Sequence, residues 1–265
     1  MTELQKRIGV SVVFIPLILA ALWFSGPWLI VFFAAAVLLG SGEYISMLRR
    51  AKYPVSWLWI AIALASYAQI VLLPGFELIT LWALLLLAWL EILLRWDPQT
   101  SVPLAALEIL GVLYTAFLPA LCVRLGLEHR EPRLLLGLVV LIWCADSLAY
   151  FVGMKWGKRR GLVKISPNKS LEGFIAGALA PFVIVIILYF ARLYDDLAVL
   201  LLTAFAAGIV GQLGDLAESA LKRFCQVKDS SNLIPGHGGV LDRSDSILLA
   251  GSFLYCAMLI LTQVR

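Results

Sequence analysis

The 265-residue chain is 62% hydrophobic and 14% charged, with a formal net charge of +4. Soluble proteins carry about a quarter charged residues, so this composition argues against a soluble globular domain and against a nucleic-acid partner. The four cysteines, Cys122, Cys144, Cys225 and Cys256, form no CxxC pair and no metal-binding spacing, and three sit in apolar runs, so no disulfide framework is expected.

Apolar runs of about 20 residues, the length that crosses a bilayer, recur from end to end. Runs such as IVFFAAAVLL and ITLWALLLLAWL show no polar alternation, so a barrel is excluded and helices are expected. The fold class is therefore all-α, a polytopic transmembrane bundle of about nine spans. In chain order they are placed at 8–24, 28–48, 56–73, 78–94, 103–124, 134–154, 172–190, 198–216 and 245–263. Lys6-Arg7 before an apolar run resembles a signal peptide, but no small-residue cleavage site follows, and the run is read as a retained first helix. Gly26-Pro27, Pro54, Pro74-Gly75, Pro98, Pro132, Pro167 and Pro235-Gly236 punctuate the joints. Trp23, Trp28, Trp57, Trp59 and Trp96 fall near span ends, as an aromatic belt requires.

The chain is read as one integral membrane domain, 1–265, with N-terminal helices over 1–130 and a catalytic half over 134–263. With the N-terminus inside, all but five of the 21 Lys and Arg residues fall on the inner side. The outer side holds only Arg124, Arg130, Arg133, Arg192 and Arg265. The positive-inside rule thus selects N-in/C-out. Glu43, Glu91, Glu108, Asp146, Glu172, Asp215 and Asp245 lie in or beside spans, all toward the inner ends. Ionisable groups in spans are costly and mark interior cavities. Glu43, Glu91 and Glu108 are equally well read as interfacial anchors or helix-end acids.

Four constellations could carry chemistry. Asp215, Glu218, Ser219 and Lys222 are spaced i, i+3, i+4, i+7 on one helical face. The alternative, an interfacial polar face, suits Glu218 and Lys222 better than Asp215. His237-Gly238-Gly239 could present backbone N–H groups to an anion, with His237 as a donor, or be only a turn between helices. Asp242 and Asp245 open the last helix; one acid there would be a cap. Two acids, with Asp215 from the neighbouring span, suit a hard cation held by oxygen, so Mg²⁺ is expected. Upstream, Asp146, Tyr150 and Gly153 share a face, followed by a basic loop and the run Ser166-Pro167-Asn168-Lys169-Ser170-Leu171-Glu172-Gly173. The loop's cations serve topology and would also attract anionic lipid headgroups. Gly173-x3-Gly177, Ala204, Ala207, Gly208 and Gly211 permit close helix contact, within or between chains.

The stretch Ser219-x-Leu221-Lys222-Arg223-x4-Lys228-Asp229-x-Ser231-x2-Ile234-Pro235-x-His237-Gly238-Gly239-Val240-x-Asp242-Arg243-x-Asp245 resembles the signature of phosphatidate cytidylyltransferases (CDP-diacylglycerol synthases). Asp146 to Gly153 and Ser166 to Gly173 are also similar to that family, as is Gly42-Glu43-Tyr44 in the second span. Ser244 stands where the family usually has an apolar residue or Thr, and Asn168 is a milder variation.

The resemblance implies that CTP and phosphatidic acid give CDP-diacylglycerol and pyrophosphate, in phospholipid biosynthesis, with Mg²⁺ and a possible second cation, at the inner face of a bacterial membrane. It implies Asp215, Asp242 and Asp245 as metal ligands. Lys222, Arg223, Lys228 and His237 would join them as catalytic residues. Asp146, Ser166, Lys169, Glu172, Ser219, Gly238, Gly239 and Arg243 would bind substrate. It also implies a homodimer. One rival, a CTP-dependent lipid-alcohol kinase, would use similar parts but transfer the γ-phosphate; the other is a secondary transporter with acids lining a cavity, which would need no His-Gly-Gly turn or aspartate cluster. The off-centre acids and the lack of a two-fold repeat count against the transporter.

Overall fold

The computed structural model describes residues 3–129, 133–161, 163–234, 236 and 238–264, with side chains from residue 12 onward. Pro235 and His237 lie outside the described residues, as do Arg130, Pro132 and Arg265.

Among the described residues the chain forms helices and no strand; only two isolated bridges, Arg160 with Ser170 and Ile234 with Gly238, pair extended backbone. The helices are α1 (Glu3–Phe24), α2 (Gly26–Arg50), α3 (Leu58–Leu72), α4 (Glu77–Leu94), α5 (Ser101–Glu128), α6 (Leu134–Trp156), α7 (Leu171–Phe190), α8 (Leu197–Phe224) and α9 (Leu241–Val264). Seven are long and apolar enough to cross a membrane; α3 and the Val12–Phe24 part of α1 are apolar but shorter. Large apolar side chains such as Leu78, Leu93, Leu94 and Ile187 face outward. Such an exterior is unfavourable in water and favourable in lipid. The protein is a multi-pass helical membrane protein, as its composition implied.

The helix ends follow local chemistry. Pro27 opens α2, where the missing N–H is not needed. Ser170 caps α7 by accepting from the Gly173 amide at 3.1 Å, and Asp196 caps α8 by accepting from Val199 at 3.2 Å. Leu113–Phe117 of α5 and Ala206–Val210 of α8 are π-helical, each adding a residue to the turn.

Two compact units form. The first comprises Met1–Arg124 with Phe224–Leu241, and the second Leu125–Arg223 with Asp242–Arg265. In the first unit α2 packs on α3, and both meet the π turn of α5. Leu29, Phe33, Met47 and Leu48 of α2 fill its core with Ile70 and Leu84. Several polar groups inside are paired, as burial demands. Ser41 Oγ and Thr115 Oγ1 lie 2.8 Å apart, and the Tyr44 hydroxyl donates to the Leu107 carbonyl at 2.8 Å. Arg124 Nη1 donates to Glu77 at 2.8 Å, which puts those two residues at the same end of the first unit.

Several first-unit residues depart from their expected roles. Trp59 is 5% exposed and belongs to the core, unlike Trp23, Trp28, Trp57 and Trp96, which are exposed. Glu91 pairs with Arg95 one turn on, at 3.3 Å, as a helix-end acid would. Glu43 and Glu108 are buried, so neither is an interfacial anchor. Cys122, Cys144, Cys225 and Cys256 are all free thiols.

The second unit is built on glycine. α6, α7 and the π turn of α8 pack against one another. A Cβ on Gly173 would sit 2.6 Å from the Ala149 carbonyl oxygen and 3.1 Å from Gly153 Cα. One on Gly177 would meet Ala149 Cβ at 3.0 Å, and one on Gly208 would strike the Ala178 carbonyl. One on Gly214 would lie 2.5 Å from the Asp245 carbonyl, so α8 and α9 also cross backbone to backbone. The small-residue motifs thus make helix contacts within the chain.

Candidate active site

The close crossings in the second unit leave a cavity of about 570 Å³, ample for a nucleotide-sized ligand. Asp146, Tyr150, Gly153 and Met154 of α6 line it, with Arg160, Asn168, Lys169 and Ser170 of the following loop. Gly173 and Phe174 of α7, Gln212 and Asp215 of α8, and Asp242, Asp245 and Ser246 of α9 complete it. The two polar stretches that the sequence separates by dozens of residues therefore share one cavity.

The 157–170 loop is pinned against the helices it joins. Arg160 donates to the Gly153 carbonyl at 3.0 Å and the Gly157 carbonyl at 3.3 Å, a cation on the C-terminal end of α6. Leu171 N donates to the Arg159 carbonyl at 2.9 Å, and the Arg159 amide donates to the Glu172 carboxylate at 3.2 Å. Gly157 cannot be larger, since a Cβ there would strike the Gly153 carbonyl.

Charge in the cavity wall is arranged in lysine–carboxylate contacts. Lys169 of the loop donates to Asp215 of α8. Lys222 Nζ donates to Glu218 Oε2 at 2.7 Å and to Asp242 Oδ1 at 2.6 Å. These are buried groups: the Lys222 side chain is 11% exposed, that of Asp242 6% and that of Glu218 0%. Glu218 and Lys222 are therefore a buried ion pair, not an interfacial polar face. The helix α8 continues beyond the span end placed at 216 to Phe224, and in that segment Lys222 pairs with Glu218 one turn before it.

Of the residues singled out in the sequence, Asp146, Lys169, Asp215, Asp242 and Asp245 line the cavity. Lys222 reaches it through Asp242. Ser166 and Glu172 do not line it; the Ser166 carbonyl accepts from the Lys169 amide at 3.2 Å to form a turn, and Glu172 holds the loop backbone. Arg223 is exposed and donates to the Ile165 carbonyl at 3.4 Å. Ser219 and Arg243 do not line the cavity either. Lys228, Gly238 and Gly239 belong to the first unit, where Lys228 is exposed and Gly239 buried.

Arg160, Asn168 and Gln212 are among the lining residues that had no assigned role. Arg160 was hidden among the basic loop's cations, and Asn168 was noted only as a variation. Gln212 sits in the run Gly211-Gln212-Leu213-Gly214-Asp215, whose polarity inside a span was the available signal. Its amide donates to the Gly208 carbonyl at 2.6 Å and the Phe174 carbonyl at 3.2 Å, bracing the π turn against α7.

The donor set suits a hard divalent cation. Asp146, Asp215, Asp242 and Asp245 supply oxygen only, the preference of Mg²⁺. Glu218 Oε1 is buried with no donor among the described residues and faces the Asp245 carboxylate, an arrangement that a shared proton or a cation would relieve. No three acidic, His or Cys side chains are gathered into one metal cluster among the described residues. Lys169 and Lys222 hold Asp215 and Asp242, so a metal taking those carboxylates would have to displace the ammonium groups.

A model of the cytidylyltransferase family matches residues 5–261, nearly the whole chain. The chain is a member of the cytidylyltransferase family. Among its relatives, the phosphatidate cytidylyltransferase of Bacillus subtilis is 42% identical over 182 residues, 67% of this chain and 66% of its own length. That of Haemophilus influenzae is 45% identical over 141 residues, 49% of each chain. That of Staphylococcus haemolyticus is 43% identical over 110 residues, 41% of this chain and 42% of its own length. The chain thus aligns with less than two thirds of the length of each relative. The matching family agrees with the resemblance read from the 219–245 signature.

Proposed function

We propose that this protein is a phosphatidate cytidylyltransferase: it transfers the cytidylyl group of CTP to phosphatidic acid, giving CDP-diacylglycerol and pyrophosphate. The observation that carries the reading is a cavity in a multi-pass member of the cytidylyltransferase family, lined by four aspartates, two of them held by lysines. A lipid phosphate can enter such a cavity from the bilayer while its acyl chains stay in lipid.

In the proposed reaction a phosphate oxygen of phosphatidic acid bonds to the α-phosphorus of CTP, and the α–β bridging oxygen leaves with pyrophosphate. The attacking group is already an anion, so no strong base is required. The obstacle is the repulsion between two polyanions in a low-dielectric site, and cations remove it. Asp215, Asp242 and Asp245, with Asp146 beside them, would hold Mg²⁺, and a second cation if one is used. When bound, the metal supplies charge neutralisation and orientation of phosphate oxygens. Lys169 and Lys222 would exchange their carboxylates for substrate phosphates. Arg160 lies at the cavity wall, close enough to meet a further phosphate. Lys228, Arg223, His237 and the Gly238-Gly239 turn remain proposed contacts for phosphate or departing pyrophosphate, and Ser166, Glu172, Ser219 and Arg243 proposed supports of the substrate pocket.

The same reading places the protein in a bacterial cytoplasmic membrane, N-in/C-out, with the cavity open to the cytoplasm. The Glu77–Arg124 pairing within the first unit supports the alternation of spans on which that orientation rests. The working form is proposed to be a homodimer, to be read from the mass of the solubilised complex. The reaction is tested by incubating purified protein with CTP, phosphatidic acid and Mg²⁺ in mixed micelles. Formation of CDP-diacylglycerol that stops on chelation of Mg²⁺ is expected, and no liponucleotide across several detergents and lipids would overturn the proposal.

A further inference from the structure

A heavily coordinated carboxylate in the first unit belongs to Glu43 of α2, 6% exposed and far in sequence from the signature. Among the described residues it accepts four hydrogen bonds from one distant loop. Ser231 Oγ donates to Oε1 at 2.7 Å and Val240 N to the same oxygen at 2.9 Å. Ser230 Oγ donates to Oε2 at 3.1 Å and Leu241 N to that oxygen at 2.9 Å. A carboxylate has about four lone-pair sites, so Glu43 is filled.

The geometry of the loop is built around this contact. Ile234 N donates to the Gly238 carbonyl at 2.8 Å, closing a turn in which Gly236 and Gly238 take φ of 75° and 85°. These are left-handed values that favour glycine. Gly239 is constrained differently: a Cβ there would strike the Ser230 hydroxyl and lie 2.5 Å from both Glu43 oxygens. Leu241 is the first residue of α9, so Glu43 also supplies the anion that this helix start attracts. Gly40, one turn before Glu43, leaves room for Leu241, since a Cβ there would meet Leu241 Cδ2 at 3.0 Å.

We infer that Glu43 is a positioning residue for cytidylyl transfer: its carboxylate ties both ends of the 230–241 loop to α2 and thereby sets the Gly238-Gly239 turn and the start of α9. The inference rests on the function proposed above. Lys228 lies two residues before the first tied serine, and Asp242 follows the last tied amide in the chain. Glu43 touches no reacting atom on this account; it acts through the backbone that it fixes.

Glu43→Gln is a sharp test because of the donor arrangement. The amide oxygen can replace one carboxylate oxygen, but the NH₂ must replace the other. Serine hydroxyls can turn to accept from it; the backbone amides of Val240 and Leu241 cannot. Whichever way the amide is flipped, one backbone N–H loses its acceptor. Ser231→Ala removes only a hydroxyl from a half-buried residue and keeps both amide contacts. Glu43→Asp keeps the charge but withdraws it by one methylene.

Purified full-length variants are compared by hydrogen exchange and by kinetics of CDP-diacylglycerol formation. In Glu43→Gln, amide exchange at Val240 and Leu241 should accelerate at least tenfold while α3 amides stay unchanged. Its kcat should fall at least tenfold with KM for phosphatidic acid within threefold, and Ser231→Ala should stay within threefold on both. Unaltered exchange at Val240 and Leu241, or an unaltered kcat per folded molecule, would overturn the inference. If Glu43→Gln does not fold, Glu43→Asp carries the same comparison; failure of both to fold would make Glu43 a residue of the fold alone and overturn it too. If the wild-type protein makes no CDP-diacylglycerol, the parent proposal fails, whereas the exchange arm still decides whether Glu43 anchors the loop.

Discussion

Replacing Lys222 by Met would leave two buried carboxylates facing each other without their cation. Lys222 donates to Glu218 and Asp242 at 2.7 and 2.6 Å, and no side chain of the three is more than 11% exposed. Removing one partner of a buried ion pair typically costs about 3–5 kcal/mol, because the remaining charge is uncompensated. For a chain of this size each kcal/mol lowers the melting temperature by roughly 2–4 °C, so Lys222→Met should melt on the order of 10 °C below wild type in the same detergent. The loss belongs to the interaction, which a double-mutant cycle with Glu218→Gln isolates. The double variant should be less destabilised than the sum of the single variants, with a coupling of about 2–3 kcal/mol. The assay is thermal unfolding followed by circular dichroism and by intrinsic tryptophan fluorescence, without divalent cations. A Lys222→Met protein within about 1 kcal/mol of wild type, or a coupling near zero, would refute the reasoning that the lysine compensates this carboxylate pair.

Three further outcomes are expected. Asp242→Asn should abolish turnover while leaving expression and membrane insertion intact; near-wild-type activity would remove Asp242 from the reaction. Gly173→Ala should cost roughly 1–3 kcal/mol, the usual penalty of overpacking, because its Cβ would press on the Ala149 carbonyl and Gly153; thermal unfolding measures it, and an unchanged melting temperature would contradict so close a crossing of α6 and α7. A C-terminal alkaline phosphatase fusion should be active in cells and a C-terminal fluorescent-protein fusion dark, since the proposed orientation puts that end outside; the reverse would invert the topology.

The helices were legible because each span shows as an unbroken apolar run, and burial of backbone polar groups in lipid leaves helix as the only continuous solution. Their ends were less so. The eighth span is placed to end at 216, with the polar face continuing along the helix; the helix runs to Phe224, and the pairing of Lys222 with both Glu218 and Asp242 was not legible. Hydropathy averages over a window and carries no information on which charges pair.

Asp146, Lys169, Asp215, Asp242 and Asp245 were identifiable from spacing and signature, and they share one cavity. Glu43 could not be understood the same way. Its donors lie 187 to 198 residues away, and two of them are backbone amides, which leave no mark on residue type. Gly239 was read as an anion-binding glycine; the structure supplies a second, steric reason for it in the closeness of Glu43 and Ser230. Trp59 shows the converse: a tryptophan beside a span end reads as a belt residue until packing turns it inward.

The central claim is most directly tested by following the label of CTP into lipid. With phosphatidic acid and Mg²⁺ present, the account predicts that label in the α-phosphate enters the lipid product, while label in the γ-phosphate leaves as pyrophosphate. Transfer of γ-label to a lipid alcohol, with CDP as the second product, would contradict cytidylyl transfer and identify a kinase.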